Sequence, residues 1–279
     1  MADFDILKEK TIYELEKELK DSAHLHKRFK FKACIILFFT WLILCPDMFM
    51  YLIRFITPHF PKYKTEEIID VTKEPIQIDI TQNKDKYFKY KTLENRGSYA
   101  MEKMAKYSIS GLLVAKNYFF WSNYLPLIRD VDFHAISLID VGLVYQEMAN
   151  EDIMKCVKYI SFNVFDGARQ LIPIPTHSDK CSELFYQYAN QVGGFDELFS
   201  KYSHTHVIPA NASIMHALMF APQNKPVKLE GYLVDVYKDG TAIASTSLSR
   251  RDNNITARGG GACEVMYVER VQVGNKVYE

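Results

Sequence analysis

The sequence predicts an α+β protein with one N-terminal transmembrane helix. After it comes an extracytoplasmic mixed domain with a small antiparallel β-sheet or barrel at its C-terminal end. Three observations predict this. Residues 33–56, ACIILFFTWLILCPDMFMYLIRFI, are the only apolar run long enough to cross a bilayer, which takes about 20 mainly apolar residues. Beyond them, helical and period-two patterns occur in separate stretches. The last sixty residues read as strands, two of them flanking Asp239-Gly240, a strong hairpin signal. The chain therefore divides into an arm (1–32), a span (33–56), a connector (57–74) and a domain (75–279).

The arm is partly helical. Ile12, Leu15, Leu19 and Ala23 recur at three- and four-residue spacing, and Glu16 precedes Lys20 by four, a favourable pair. Lys27, Arg28, Lys30 and Lys32 stand just before the span. The fifteen residues before Ala33 hold five Lys or Arg, and the fifteen after Arg54 hold two. Basic residues collect on the cytoplasmic side, so the N-terminus is expected inside and the domain outside. That places the protein in the inner (cytoplasmic) membrane as a single-pass chain.

A cleaved signal peptide is disfavoured, because about thirty residues precede the apolar core and nothing like Ala-x-Ala follows it. Leu42-Ile43-Leu44-Cys45 imitates a lipoprotein signal, but Leu44 stands where a small residue belongs. Within the run, Pro46 and Asp47 predict an off-centre kink, while Trp41 lies well inside. Residues 33–56 show no small-x-x-x-small pattern for close helix pairing.

Thr57-Pro58-His59-Phe60-Pro61 stops the helix in an extended exit. Strands are expected at Pro75–Thr81, Tyr87–Lys91 and Tyr107–Lys116. Residues 126–145 are compatible with strand, loop or helix. A helix is expected over Glu151–Tyr159 and a strand over Ile160–Phe165, while Ile172-Pro173-Ile174-Pro175 argues against regular structure. Two short helices follow near Leu184–Ala189 and Asp196–Tyr202. His204–Ala210 is extended, and Asn211 caps a helix to about Phe220. Strands at Val227–Tyr237, Thr241–Leu248 and Ala262–Val273 complete the domain.

The 279 residues carry no net charge and no extended basic patch, which argues against nucleic acid as a partner. Of five cysteines, Cys156, Cys181 and Cys263 lie beyond the span. Their odd number leaves at least one thiol unpaired within the chain. A Cys156–Cys181 bridge is open at this point, and the chain is no disulfide scaffold.

Leu229–Val236 (LEGYLVDV), Ser247–Asp252 (SLSRRD), Gly259–Glu269 (GGGACEVMYVE) and, upstream, His206–Asn211 (HVIPAN) carry a resemblance. Over roughly residues 74–273, the chain resembles a family of bacterial single-pass envelope proteins with no assigned activity. The family tends to have Trp and Gly before its mid-domain helix, whereas Leu138–Val144 here lacks Trp. The resemblance implies bacterial origin and membrane anchoring, and nothing catalytic.

Candidate chemistry is sparse. His204 and His206 alternate on an extended segment and so share a face; an Asp or His177 could complete a metal site, which needs three or four converging ligands. No His-Glu-x-x-His and no Gly-x-Ser-x-Gly occurs, and Ser247, Ser249 and Asp252 reach His206 only if the fold brings them there. Cys263 follows three glycines, which could expose a thiol, but its strand position favours a buried small apolar residue. Arg250, Arg251 and Arg258 bracket Asn253, Asn254 and Gly259-Gly260-Gly261, an anion-binding composition that reads better as a hairpin tip docking a protein partner.

No cofactor is expected. The preferred reading is a noncatalytic component of an envelope-spanning assembly of the secretion, export or conjugation type. Its partners would be other envelope or membrane proteins, as in a multi-subunit complex, together with the lipid bilayer. The alternative is a membrane-tethered envelope hydrolase with a His204/His206-centred site.

Overall fold

The computed structural model describes residues 61–80, 86–92, 98–118, 131–163, 169–249 and 263–279. Lys64–Thr65 forms β1, Ile76–Asp79 β2, Tyr87–Lys91 β3 and Ser98–Tyr118 β4. Val131–Ile136 is helix α1 and Ile139–Val144 is β5. A 3-10 turn at Gln146–Ala149 leads to α2 (Glu151–Lys155), β6 (Val157–Asn163) and β7 (Arg169–Pro175). Then come α3 (Asp179–Val192), α4 (Phe195–Phe199), β8 (Tyr202–Pro209) and α5 (Ala212–Phe220). The chain closes with β9 (Pro226–Lys238), β10 (Thr241–Ala244), β11 (Glu264–Val273) and β12 (Lys276–Tyr278).

The expected fold class is corrected. Among the described residues the structure is mostly β: a ten-stranded sheet and a two-stranded ribbon, with few helices. The sheet is large, and it is mixed because β8 and β11 run parallel. Among the described residues no helix is long and apolar enough to cross a membrane, and α3, the longest, has 14 residues. The expected span at 33–56 lies outside the described residues, as does the arm.

Five strands of the sheet close on themselves. β4 pairs with β5, β5 with β8, β8 with β11, β11 with β9, and β9 returns to β4. Numbered within this ring, the order is 1-2-3-5-4-1, with α5 between the third and fourth strands. That is the topology of an oligonucleotide/oligosaccharide-binding barrel. Ile109, Leu113, Ile139, Val141, Leu143, Val207, Leu229, Leu233 and Met266 share the inward face and are fully buried. Such a ring leaves no open edge among its members.

β4 makes closure possible. It pairs with β9 over Ala100–Leu112 and with β5 over Leu112–Tyr118, and its register slips between Lys103 and Ala105 and between Leu113 and Ala115. Bulges of this kind bend a strand and increase its twist. The expected strand at Tyr107–Lys116 was thus half of a 21-residue one. β2 and β3 both pair with β4, and Ile76 and Ile78 of β2 are exposed.

Outside the ring, two apolar layers cover the strands. Val114, Val144, Met148, Ile153, Phe185, Leu198 and Tyr202 gather under α3 and α4. Met101, Phe133, Ile136, Ile208, Val234, Val236 and Val265 gather under α1. Residues 131–144 are therefore a short helix and a wholly buried strand, whose two-sided burial erased any alternation.

The Pro173–Pro175 stretch is a strand, contrary to expectation. Among the described residues β6 and β7 pair only with each other, so each has a side that carries no ladder bond for proline's missing N–H to supply. The expected helix at Glu151–Tyr159 ends at Lys155 because Val157 already pairs with Pro175. Asn211 caps α5 as expected, accepting from the Ser213 and Ile214 N–H groups. Asp239 and Gly240 both take positive φ, the geometry of a two-residue hairpin turn. Cys156 and Cys181 are joined in a disulfide that ties the end of α2 to the first turn of α3.

Candidate functional site

Three neighbouring strands build the site from their register. Asp140 on β5 stands opposite His206 on β8, and Gly142 stands opposite His204. On the other side, β11 runs parallel to β8 with Val265 beside His206 and Glu264 beside Thr205. One step back along β11, Cys263 falls beside His204. Side chains two apart on a strand share a face, so Asp140, His204, His206 and Cys263 converge on the outer face of the barrel. They lie between the two apolar layers, since Tyr202 and Ile208 on the same face of β8 belong one to each.

The geometry is tight. Cys263 Sγ lies 3.2 Å from His204 Nδ1, and His204 Nε2 lies 3.5 Å from Asp140 Oδ2. The other carboxylate oxygen, Oδ1, is 2.8 Å from His206 Nδ1. The imidazole rings meet edge to face with centroids 4.6 Å apart, and the Phe133 ring stands edge-on to His206 at 5.4 Å. Asp140, His204 and His206 are buried, while Cys263 is half-buried and forms the solvent side of the group.

Electrostatics couple the thiol to the imidazoles. Burial raises the Cys263 pKa, but the charge of His204 and hydrogen bonds with His204 and His206 outweigh it and bring the thiol down to about 6. Burial lowers that of His204, and the Cys263 charge and Asp140 outweigh it and carry the imidazole up to about 10. Each charge holds the other, so the favoured state is a thiolate–imidazolium pair backed by a carboxylate.

Glu264 turns to the opposite, inward face. There it accepts from the Tyr107 hydroxyl at 3.3 Å and the Ser203 hydroxyl at 3.2 Å, with Thr205 bonded to Ser203 at 2.9 Å. Adjacent residues 263 and 264 thus serve different sides of one strand.

His204 and His206 share a face, as their spacing predicts. His177 is exposed and no member of the group. Cys263 occupies the third place, which corrects its reading as a buried apolar residue. Ser247 Oγ is engaged by the Ser249 N–H at 3.1 Å. Arg250, Arg251, Asp252 and Arg258 lie outside the described residues, as do Lys27, Arg28, Lys30, Lys32, Trp41, Pro46 and Asp47. Sequence reasoning missed Asp140: within an apolar run that fits strand or helix, only an isolated carboxylate marked it.

No family model, curated protein or solved structure matches the chain.

Proposed function

We propose that the chain is a thiol-dependent acyl hydrolase, with Cys263 as nucleophile, His204 as its acid–base partner and Asp140 as the group that orients His204. The observation that carries this reading is the Cys263–His204 contact at 3.2 Å. A nucleophile within hydrogen-bond reach of a base, and the base held by a third group, is the arrangement acyl transfer requires. The barrel decides nothing here, because one fold hosts many unrelated functions.

In this reading the Cys263 thiolate attacks the carbonyl carbon of an ester or amide, and the carbonyl π pair moves to oxygen. Collapse of the tetrahedral adduct expels the alcohol or amine, which takes the proton from the His204 imidazolium. Water then attacks the thioester with His204 accepting its proton, and the adduct releases the carboxylic acid and restores the thiolate–imidazolium pair. Asp140 keeps its charge throughout and stabilises the imidazolium.

The test is to mix metal-free protein with a panel of p-nitrophenyl esters and aminoacyl amides, quench with acid, and weigh the protein by mass spectrometry. The reading expects a hydroxylamine-labile acyl adduct on Cys263 and turnover that Cys263→Ala abolishes. Hydrolysis by Cys263→Ala at the unmutated rate overturns it.

The exposed Ile76 and Ile78 of β2 favour a second reading, the noncatalytic component of an envelope assembly binding other envelope proteins. Stoichiometric partners in a detergent pull-down, lost when both residues become Ser, would support it. For either reading we place the domain outside the cytoplasm, at the inner membrane. The Cys156–Cys181 disulfide supports this, because such bonds persist in oxidising compartments.

A further inference from the structure

We infer that Cys263 Sγ, His204 and His206 also form a binding site for a thiophilic divalent cation of the zinc class, and that the cation caps the thiol when it binds. The ligand atoms of the three residues already lie within 4.8 Å of one another. Zinc bonds of about 2.0–2.3 Å to nitrogen and sulfur at a tetrahedral angle place such atoms roughly 3.5 Å apart. The 3.2 Å between Cys263 Sγ and His204 Nδ1 therefore needs only a small spread.

The donor set is selective. One thiolate and two imidazoles suit zinc and disfavour magnesium or calcium, which take oxygen ligands. Three protein donors are one short of a tetrahedral zinc shell.

The surroundings fit a metal as well as a thiol. Ligating histidines commonly hold a carboxylate with their second nitrogen, which fixes the ring and raises its basicity. Asp140 stands behind both rings, 2.8 Å from His206 Nδ1 and 3.5 Å from His204 Nε2. That leaves His204 Nδ1 and the second nitrogen of His206 on the thiol side. A simple nucleophile–base pair needs one imidazole; a second on the same carboxylate completes a three-donor cradle.

The two uses of the cluster exclude each other. A cation on Cys263 Sγ takes the electron pair that would attack a carbonyl, so zinc switches the thiol off and its removal switches the thiol on. The cation site rests on geometry alone and stands whether or not the acyl-hydrolase reading does.

The probe is Co2+ alone, titrated into chelator-treated protein with the Cys156–Cys181 disulfide intact. The inference expects binding at one ion per chain with the near-ultraviolet charge-transfer band of a cobalt–thiolate bond. Added Zn2+ should erase the band, and saturating Zn2+ should protect Cys263 from iodoacetamide until a chelator is supplied. Cys263→Ser should abolish the band, and Asp140→Asn should weaken binding about ten- to a hundredfold. Absence of the band, its survival in Cys263→Ser, or alkylation at an unchanged rate under saturating Zn2+ overturns the inference. The alkylation arm uses only the unmutated protein, so misfolding of a variant cannot blur the result. Acyl-adduct trapping in metal-free protein reports separately on the hydrolase.

Discussion

Cys263 Sγ meets His204 Nδ1 at 3.2 Å although the two residues are 59 positions apart in the chain. Parallel pairing brings them together: β11 lies beside β8 with Glu264 next to Thr205, which sets Cys263 next to His204. One-residue slippage would turn Cys263 into the barrel and Glu264 outward. The site therefore depends on a register that the inward Glu264–Ser203–Tyr107 hydrogen bonds help to hold.

Removing the nucleophile separates chemistry from folding. Cys263→Ala is expected to lower acyl-ester turnover by about a thousandfold or more. It should leave the circular dichroism spectrum unchanged, because the residue is half-buried and precedes β11. Steady-state kinetics on metal-free protein check this, and turnover within tenfold of the unmutated rate would remove Cys263 from the mechanism.

The thiol's pH dependence follows from its neighbours. In chelator-treated protein, alkylation of Cys263 by iodoacetamide should rise with a midpoint near pH 6, where His204 holds the thiol, rather than at the ordinary thiol value of about 8.5. His204→Gln should move the midpoint upward, since burial then acts without the opposing charge. Both groups add stability, with opposite pH slopes. The lowered Cys263 pKa adds stability that is lost as pH falls through about 6. The raised His204 pKa adds stability that is lost as pH rises through about 10. Urea unfolding across this range should therefore weaken towards both ends.

The disulfide closes a loop of 25 residues of sequence separation between the end of α2 and α3. Loop-closure entropy for that length corresponds to about 3 kcal/mol. In a domain of this size that lowers Tm by roughly 10 °C. Replacing Cys156 and Cys181 together with Ser should show this shift in a thermal melt. Reducing agent should reproduce it in the unmutated protein and leave the double variant unchanged.

Local signals in this sequence were legible, and closure was not. Tyr87–Lys91, the Asp239-Gly240 turn and the Asn211 cap were readable because each depends on neighbours in sequence. The barrel depends on which strands pair, and period-two patterning is the same for a meander and a ring. Ile139–Val144 is buried on both faces and showed no period at all. In the site, His204 and His206 were visible as an i, i+2 pair. Cys263 was visible as a thiol behind three glycines but not as the partner of His204, and Asp140 was not visible, because both meet β8 across register that no local pattern encodes.

Gly231, within the Leu229–Val236 segment, offers the sharpest test of that register. It lies on β9 opposite Val268, where the pairing with β11 slips between Val268 and Arg270. A Cβ built at Gly231 would overlap the Tyr267 carbonyl oxygen and press on the Glu269 backbone N–H. Backbone atoms cannot rotate away as a flexible side chain can, so Gly231→Ala must push β9 and β11 apart. The expected loss is about 3 kcal/mol, at the upper end for overpacking a fixed environment. Because β11 also positions Cys263, the variant should lose the low-pH alkylation of Cys263 along with stability. Ala242→Gly, on the exposed hairpin strand β10, serves as the control and should leave that reactivity intact. A Gly231→Ala protein with unchanged urea midpoint and unchanged thiol reactivity would refute the close packing of β9 on β11 and the register that assembles the site.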